Sequence, residues 1–288
     1  MNRPLYNTAK SAITFYRIAT SSLRLMPDFI IIGAERGGTT SLYNYLVEHP
    51  NIASAAKKEV HFFDDNFPKG VSWYRGQFPY AAHKYYAENV RKRDLITGEG
   101  SPYYLFHPHA AKRVKQVTPH AKLIVVLRNP VERAYSHYCW EVGWGNEKLT
   151  FEDAIACEEE RTKKEGDKIA ANEHYISYNH LHFTYLAKGI YVDQLQHWMS
   201  LFPKEQFLLL HSEEFYADPA AVFKQTLEFL NVPNAEPKAL QKEYKQYNRP
   251  KNMAPSSMNP ETRKQLVEYF EPYNARLYEF LGKDFGWK

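Results

Sequence analysis

The sequence predicts a single α/β domain in which a central parallel β-sheet of about five strands is flanked by helices. Short apolar runs of strand length alternate along the chain with longer segments of helical periodicity. The clearest runs are apolar at every position, which is typical of strands buried on both faces of a parallel sheet. The length of 288 residues fits one large domain or at most two.

The first predicted strand, Phe29–Ile32, leads into a glycine-rich turn, Gly33–Gly38, and then into a helix that begins at Thr39. Backbone amides at such a turn and helix N-terminus can cradle a phosphate group. An ATP or GTP loop needs the pattern G-x-x-x-x-G-K-[ST], but Thr39 takes the place of the lysine and Arg36 supplies a cation inside the loop. The stretch therefore predicts an anion site, and the alternative is a tight turn that binds nothing.

The remaining strands and helices follow the same alternation. Further strands are predicted within Asn51–Asp65 and at Leu95–Thr97, Lys122–Leu127 and Gln206–Leu210. Helices are predicted over residues 5–25, shortly before residue 94, from Pro130 after the cap Asn129, from Thr150 to about Glu160, at Tyr191–Leu201, from Asp218 to Leu230, and from Asn259 to about Gly282 with an interruption at Pro272. Residues 172–188 fit no periodic pattern and are interpreted as a lid or an acceptor-binding segment.

The segment after the second strand combines an amine, a carboxylate and an imidazole. Lys58, Glu59 and His61 precede the apolar pair Phe62–Phe63. Such a cluster beside an aromatic anchor suits proton transfer. The alternative is a solvated charged turn that the two phenylalanines hold in place.

The fourth strand ends in Arg128, where a magnesium-dependent NTPase would be expected to place an aspartate. Ser136, on the following helix, can lie on the same side as Arg128. A guanidinium and a hydroxyl near a helix N-terminus suit a second phosphate. The alternative is a structural arginine that pairs with an acid on the sheet.

The charge of the chain is concentrated at its N-terminus. Residues 1–26 contain four of the 37 basic residues and no acid, so the rest of the chain has 33 basic and 33 acidic residues and is neutral. This balance argues against a general nucleic-acid surface. We therefore treat residues 1–26 as a basic amphipathic helix or arm, which either rests peripherally on an anionic membrane or packs on the domain formed by residues 27–288.

Other features indicate where the protein works. No apolar run approaches the roughly 20 residues that a membrane-spanning helix needs. The two cysteines, Cys139 and Cys157, do not form a disulfide scaffold. A cytoplasmic location is expected.

Three blocks, in the correct order, resemble the PAPS-dependent sulfotransferases, in particular the branch that contains heparan sulfate sulfotransferases and many bacterial enzymes. GAERGGTTSLYNYL resembles the loop that binds the 5′-phosphosulfate, and KKEVHFF resembles the block that holds the catalytic acid. LIVVLRNPVERAYSHY resembles the strand and helix that bind the 3′-phosphate. EGSPYY and the closing run from Asn259 to Trp287 are weaker similarities.

The resemblance implies a P-loop-like fold and transfer of a sulfuryl group from 3′-phosphoadenosine 5′-phosphosulfate (PAPS) to a hydroxyl or amine, with release of 3′-phosphoadenosine 5′-phosphate (PAP) and no metal requirement. The implied 5′-phosphosulfate site comprises Arg36, Gly37, Gly38, Thr39, Thr40 and Ser41. The implied 3′-phosphate site comprises Arg128 and Ser136, with Arg249 or Lys251 closing over it. Glu59 would be the base, with Lys58 and His61 beside it and Arg36 assisting the leaving group.

The acceptor is expected to be a carbohydrate or a glycolipid, and the alternative is an alcohol or phenol of a small molecule or natural product. Two other classes of protein compete with this interpretation. One is a P-loop nucleotide kinase, and the other is a non-catalytic nucleotide-binding protein. The missing lysine of the glycine-rich turn and the arginine that ends the fourth strand argue against the kinase.

Overall fold

The structure, a computed structural model, describes residues 3–234 and 257–287, with side chains from residue 11 onward. Its sheet has five parallel strands in the order β2-β3-β1-β4-β5. The strands are β1 Phe29–Gly33, β2 Ile52–Ser54, β3 Ile96–Gly100, β4 Lys122–Leu127 and β5 Phe207–His211. The predicted fold class is confirmed, and the prediction for β4 matches the observed strand at both ends.

Helices cover both faces of the sheet. Within the described residues they are α1 Arg3–Ala19, α2 Thr39–Glu48, α3 Val71–Arg75, α4 Ala81–Asn89, α5 Ala110–Val117, α6 Pro130–Trp144, α7 Phe151–Ala156, α8 Glu158–Thr162, α9 Glu165–Ala171, α10 Tyr178–His182, α11 Tyr191–Leu201, α12 Ser212–Ala217, α13 Pro219–Leu230 and α14 Pro260–Leu281. No helix among these residues combines the length and apolar character needed to cross a membrane.

The side chains of the continuous apolar runs in the central strands belong to two separate hydrophobic cores. In β1, Ile30 and Ile32 belong to the core beneath α5, α11 and α14, whereas Phe29 and Ile31 belong to the core beneath α2 and α13. Successive side chains of a strand point to opposite faces, so a strand covered on both sides needs apolar residues throughout. Every residue of β1 is buried.

The strand order places the carboxyl ends of β1, β3 and β4 next to one another. The chain runs from β1 to β2 and β3 on one side and then crosses to β4 and β5 on the other, so β1 lies between the two halves and the loops after β1, β3 and β4 lie at one edge of the sheet. Open α/β sheets bind ligands at such a switch point. The two predicted anion sites and the segment containing Glu59 therefore lie at the same edge of the sheet.

The N-terminal helix α1 makes contacts with the domain. Arg17 donates a hydrogen bond to the carbonyl oxygen of Gly76. Arg24, just beyond α1, is buried, donates to the carbonyl oxygen of Phe78 and lies 4.0 Å from the ring centroid of Tyr80. Two of the four basic residues of this segment therefore bind to the protein itself.

Two helix predictions differ from the structure. The predicted interruption at Pro272 is wrong, because α14 continues through it. Phe270 and Leu277 are buried on either side of the proline, so packing keeps both halves helical despite the lost backbone hydrogen bond. The helix predicted from Thr150 to about Glu160 is divided into α7 and α8 at Cys157.

Candidate active site

The turn after β1, residues 33–38, is called the glycine loop here, and close packing against β4 fixes its path. The amide of Ala34 donates to the carbonyl oxygen of Val126 at 3.1 Å. A Cβ at Gly37 would lie 2.2 Å from that same oxygen, so only glycine fits. Gly38 has φ +105°, which glycine adopts without strain, and it leads directly into α2. The loop is a strand-to-helix turn, as predicted.

An ion pair with a buried lysine anchors the glycine loop. Lys188 Nζ lies 2.6 Å from Glu35 Oε2, and the side chain of Lys188 is 3% exposed. The same nitrogen donates to the carbonyl oxygen of Leu181. Burial alone would raise the pKa of Glu35, but the adjacent ammonium lowers it to about 2. Glu35 is therefore a carboxylate at neutral pH.

Arg36 joins the two predicted anion sites. Its Nε donates to Ser136 Oγ at 3.1 Å, and its carbonyl oxygen accepts a hydrogen bond from Arg128 Nη1 at 3.1 Å. Its guanidinium carbon lies 4.6 Å from the ring centroid of Trp140. The sequence placed Arg36 and the pair Arg128–Ser136 in separate sites, and in the structure Arg36 contacts both Ser136 and Arg128.

The segment of residues 57–65, called the histidine loop here, lies against the N-terminus of α2. Lys58 Nζ is 2.5 Å from Glu59 Oε1 and donates to Thr40 Oγ1 at 2.9 Å. His61 Nε2 is 3.5 Å from Glu59 Oε2, and His61 Nδ1 is 2.7 Å from Asp64 Oδ2. The predicted cluster of amine, carboxylate and imidazole is therefore present, and Asp64 extends it.

The charges of this cluster follow from its hydrogen bonds. Burial opposes the positive charge of His61, but the bonds to Asp64 and Glu59 raise its pKa to about 11. Burial would likewise raise the pKa of Glu59, whereas the bond to His61 and the neighbouring Lys58 lower it to about 2. At neutral pH the cluster consists of an imidazolium and an ammonium that flank the Glu59 carboxylate.

The histidine loop also contains a group of potential metal ligands. Within the described residues, ligand atoms of His61, Asp64 and Asp65 lie within 4.8 Å of one another. A histidine that binds a metal must offer a deprotonated nitrogen, whereas both ring nitrogens of His61 already contact carboxylate oxygens of Glu59 and Asp64. The donor set fits an ion-pair cluster better than a metal centre.

Two exposed aromatic rings lie on helices α6 and α10. Trp144, 68% exposed, lies 5.7 Å in ring-centroid distance from Trp140, which contacts Arg36. Tyr178, 51% exposed, lies 4.2 Å in centroid distance from His182. Burial and Asp64 raise the pKa of Asp65 to about 6, whereas the charges of His61 and of His182 in α10 act to lower it.

The other predicted site residues have mixed outcomes. Thr39 and Ser41 are buried in the first turn of α2, and the amide of Gly37 donates to Ala34 within the glycine loop at 3.0 Å. Arg249 and Lys251 lie outside the described residues. Sequence reasoning missed Lys188, because its partner Glu35 is 153 positions away along the chain. Only the topology brings the two together.

Comparisons with known proteins agree with this geometry. Residues 26–285 match the model of the sulfotransferase domain family. The chain is 29% identical to human heparan sulfate glucosamine 3-O-sulfotransferase 6, over 92% of this chain and 74% of that protein. It is 28% identical to the membrane-associated sulfotransferase kil1 of Dictyostelium discoideum, over 92% of this chain and 67% of that protein.

A solved structure, a sulfotransferase from Alicyclobacillus acidocaldarius, superposes with a TM-score of 0.67 at 32% identity, covering 90% of this chain and 97% of that one. The sulfotransferase family uses PAPS as its sulfuryl donor. The family match spans nearly the whole chain, and the glycine loop, the histidine loop and Arg128 all fall within it. The chain therefore belongs to the sulfotransferase family and is a sulfotransferase enzyme.

Proposed function

We propose that this enzyme transfers the sulfuryl group of PAPS to a hydroxyl group, with the glycine loop binding the phosphosulfate and Arg128 and Ser136 binding the 3′-phosphate. One observation carries the assignment of roles. Lys58 Nζ bonds both Thr40 at the N-terminus of α2 and the Glu59 carboxylate. The candidate base therefore adjoins the candidate phosphosulfate cradle, as in-line transfer requires.

In this mechanism Glu59 accepts the proton of the acceptor hydroxyl while the hydroxyl oxygen attacks sulfur. The bond between sulfur and the phosphate oxygen breaks, and that oxygen leaves with its electron pair as part of PAP. Arg36 and the N-terminus of α2 stabilise the negative charge on the leaving phosphate. Because Glu59 is a weak base, the proton moves as the attack makes the hydroxyl more acidic.

A carbohydrate or glycolipid hydroxyl is the acceptor that we favour. Trp144 and Tyr178 present exposed flat apolar faces, against which the C–H face of a sugar ring can pack. Carbohydrate sulfation is also part of the name of the human relative. The same rings could hold a small-molecule alcohol or phenol, which is the second candidate. Both classes, with an amine control, belong in an acceptor screen with ³⁵S-labelled PAPS.

Calorimetric titration with PAP, beside ATP with and without Mg²⁺, tests the donor site. We expect micromolar or tighter binding of PAP, weak binding of ATP that is indifferent to Mg²⁺, and no loss of turnover in EDTA. Arg128→Ala should weaken PAP binding by about 2–3 kcal/mol, since a charge-assisted contact is lost. Mg²⁺-dependent ATP binding without PAP binding would support a nucleotide kinase instead, and unchanged PAP affinity in the variant would remove Arg128 from the site.

The role of Glu59 requires a separate experiment. Glu59→Gln should lower turnover by about 10²–10⁴-fold, the usual contribution of a general base, while PAP affinity stays nearly unchanged. Loss of PAP binding in this variant would make Glu59 structural, and full activity would exclude it as the base.

The cellular setting is also part of the proposal. Cys139 and Cys157 are free thiols, which suits a cytoplasmic location. Peripheral contact of residues 1–26 with a membrane is supported by Phe15, 75% exposed, and Ile13, 55% exposed. Sedimentation with vesicles containing phosphatidylserine tests it, since Ile13→Ser/Phe15→Ser should reduce pelleting. Equal pelleting of the variant and the wild type would reject membrane contact.

A further inference from the structure

A buried carboxylate lies beneath the histidine loop and does not face the crevice. Glu99, the fourth residue of β3, has an exposed fraction of 0%. Its Oε1 accepts hydrogen bonds from Tyr104 at 2.9 Å and Tyr74 at 3.2 Å. Its Oε2 accepts from Ser101 Oγ at 2.7 Å and from the amide of Val60 at 3.4 Å. All four neighbours donate to it.

Three consecutive backbone amides of the histidine loop donate hydrogen bonds to Glu99 and its partners. Val60 donates to Glu99 itself. His61 donates from its amide to Ser101 Oγ at 3.0 Å, and Phe62 donates to the Tyr104 hydroxyl at 2.7 Å. One further bond runs the other way, from the amide of Gly100 to the carbonyl oxygen of Lys58 at 3.1 Å. The backbone on both sides of Glu59 is thus bound to the end of β3.

The direction of these hydrogen bonds depends on Glu99 in its ionised form. Burial raises the pKa of Glu99 to about 7, although the bonds from Ser101 and Tyr104 oppose this shift. Ser101 and Tyr104 each have one hydroxyl hydrogen, and both hydrogens point to the carboxylate. Their oxygens are therefore free to accept the amides of His61 and Phe62. In Glu99→Gln, the side-chain amide would direct an N–H donor at one of these hydroxyls or at the Val60 amide. At least one of the hydrogen bonds would then be lost.

We propose that Glu99 is a positioning residue that holds the backbone around Glu59, through Ser101 and Tyr104, in the conformation needed for proton transfer. This inference rests on the proposed role of Glu59 as the base. Glu99 does not touch the crevice and takes no part in the chemistry. It acts by fixing the orientation of two hydroxyl groups, and these in turn fix two amides of the loop.

The two tyrosines provide a matched pair of variants. Tyr74 and Tyr104 both donate to Oε1 of Glu99, but only Tyr104 also accepts an amide of the histidine loop. Tyr104→Phe removes a loop contact, whereas Tyr74→Phe removes only a contact to Glu99. Each change deletes a single oxygen atom, and both rings stay in the aromatic core around Phe62 and Phe63.

Hydrogen–deuterium exchange of the full-length chain, read by mass spectrometry over residues 57–63, is the deciding measurement. Tyr104→Phe and Glu99→Gln should speed exchange of the loop amides at least tenfold, whereas Tyr74→Phe should leave exchange within threefold of wild type. Turnover with PAPS and the best acceptor of the screen should fall at least tenfold in the first two variants, with the KM for PAPS unchanged. A general structural defect would instead weaken PAP binding as well.

Equal exchange in the two tyrosine variants, or no change in either, would overturn the inference. If Glu99→Gln does not fold, the tyrosine pair still decides the question. Failure of the proposed function gives a different pattern. Glu59→Gln would then keep full activity, although exchange in Tyr104→Phe would still be faster.

Discussion

The glycine loop and the histidine loop face the same crevice, but the protein holds them in place by different means. The glycine loop depends on one ion pair, Lys188–Glu35, and on a backbone contact at Gly37 too close for any side chain. The histidine loop instead has three consecutive amides bound to side chains at the end of β3. One loop is fixed by charge and steric fit, and the other by distributed hydrogen bonds.

This difference predicts how strongly a substitution at each loop should lower stability. Removing one partner of a buried ion pair leaves an uncompensated charge, so the loss at the glycine loop should be large. Removing one hydrogen bond of several leaves the others in place, so losses at the histidine loop should be smaller and graded. The three variants below test this contrast, from the largest expected effect to the smallest.

Lys188→Met should lower the free energy of unfolding by about 3 kcal/mol, because Glu35, whose side chain is only 22% exposed, loses its cation. Urea denaturation at pH 7 measures the change. The matched control is Arg276→Met, which breaks the exposed pair Arg276–Asp193, with side chains 50% and 57% exposed, and should cost about 0–1 kcal/mol. Equal losses would show that burial of the pair is unimportant.

The same variant has a pH signature. The folded-state pKa of Glu35, about 2, lies below its ordinary value of 4.5, so the stability from the pair is fully present above pH 4.5. It is lost as pH falls toward 2. The difference in stability between wild type and Lys188→Met should therefore narrow over that interval, and a constant difference would contradict the ion-pair explanation.

Gly37→Ala should weaken PAP binding by more than 100-fold, or about 2.7 kcal/mol, because the added Cβ would meet the Val126 carbonyl oxygen and displace the glycine loop. Calorimetry measures the affinity. Gly166→Ala is the control, since no atom lies within 4 Å of the Cβ it would add. Retained affinity in the first variant would show that the loop position does not matter for the donor.

Asp64→Asn should lower the pKa of His61 by at least one unit, or about 1.4 kcal/mol, because His61 loses its closest carboxylate. NMR titration of the imidazole measures it. The raised pKa of His61, about 11, gives stability that is full below pH 6.5 and is lost as pH rises toward 11, so the variant should flatten this dependence. Asp65→Asn is the control, and an equal shift there would contradict the assignment.

The sequence was sufficient for much of the fold because the strands are buried on both faces. An uninterrupted apolar run such as the one in β4 has a clear beginning and end, and its neighbours in the chain indicate a parallel sheet. The helix caps Asn129, Thr150 and Asn259 each accept a backbone amide, as local sequence rules predict. The prediction at Pro272 was wrong because tertiary packing overrides a local helix-breaking signal.

The site was predictable only where its residues are close in sequence. Lys58, Glu59 and His61 lie within four positions, and the structure brings them together. Glu99 gave no signal, because a glutamate between two glycines at a strand end could equally be exposed. Its importance comes from partners at residues 60, 74 and 104, which only the folded chain brings together.

The exposed aromatic rings of α6 and α10 bear on how the acceptor preference of such an enzyme can evolve. Trp144 and Tyr178 are exposed, and among the contacts described they take no part in holding either loop. Substitutions of exposed residues away from caps, cores and ion pairs usually change stability by less than about 0.5 kcal/mol. Where an acceptor packs against these rings, as proposed above, mutation can change the preferred acceptor at small cost in stability, while the glycine loop and the histidine loop keep their positions.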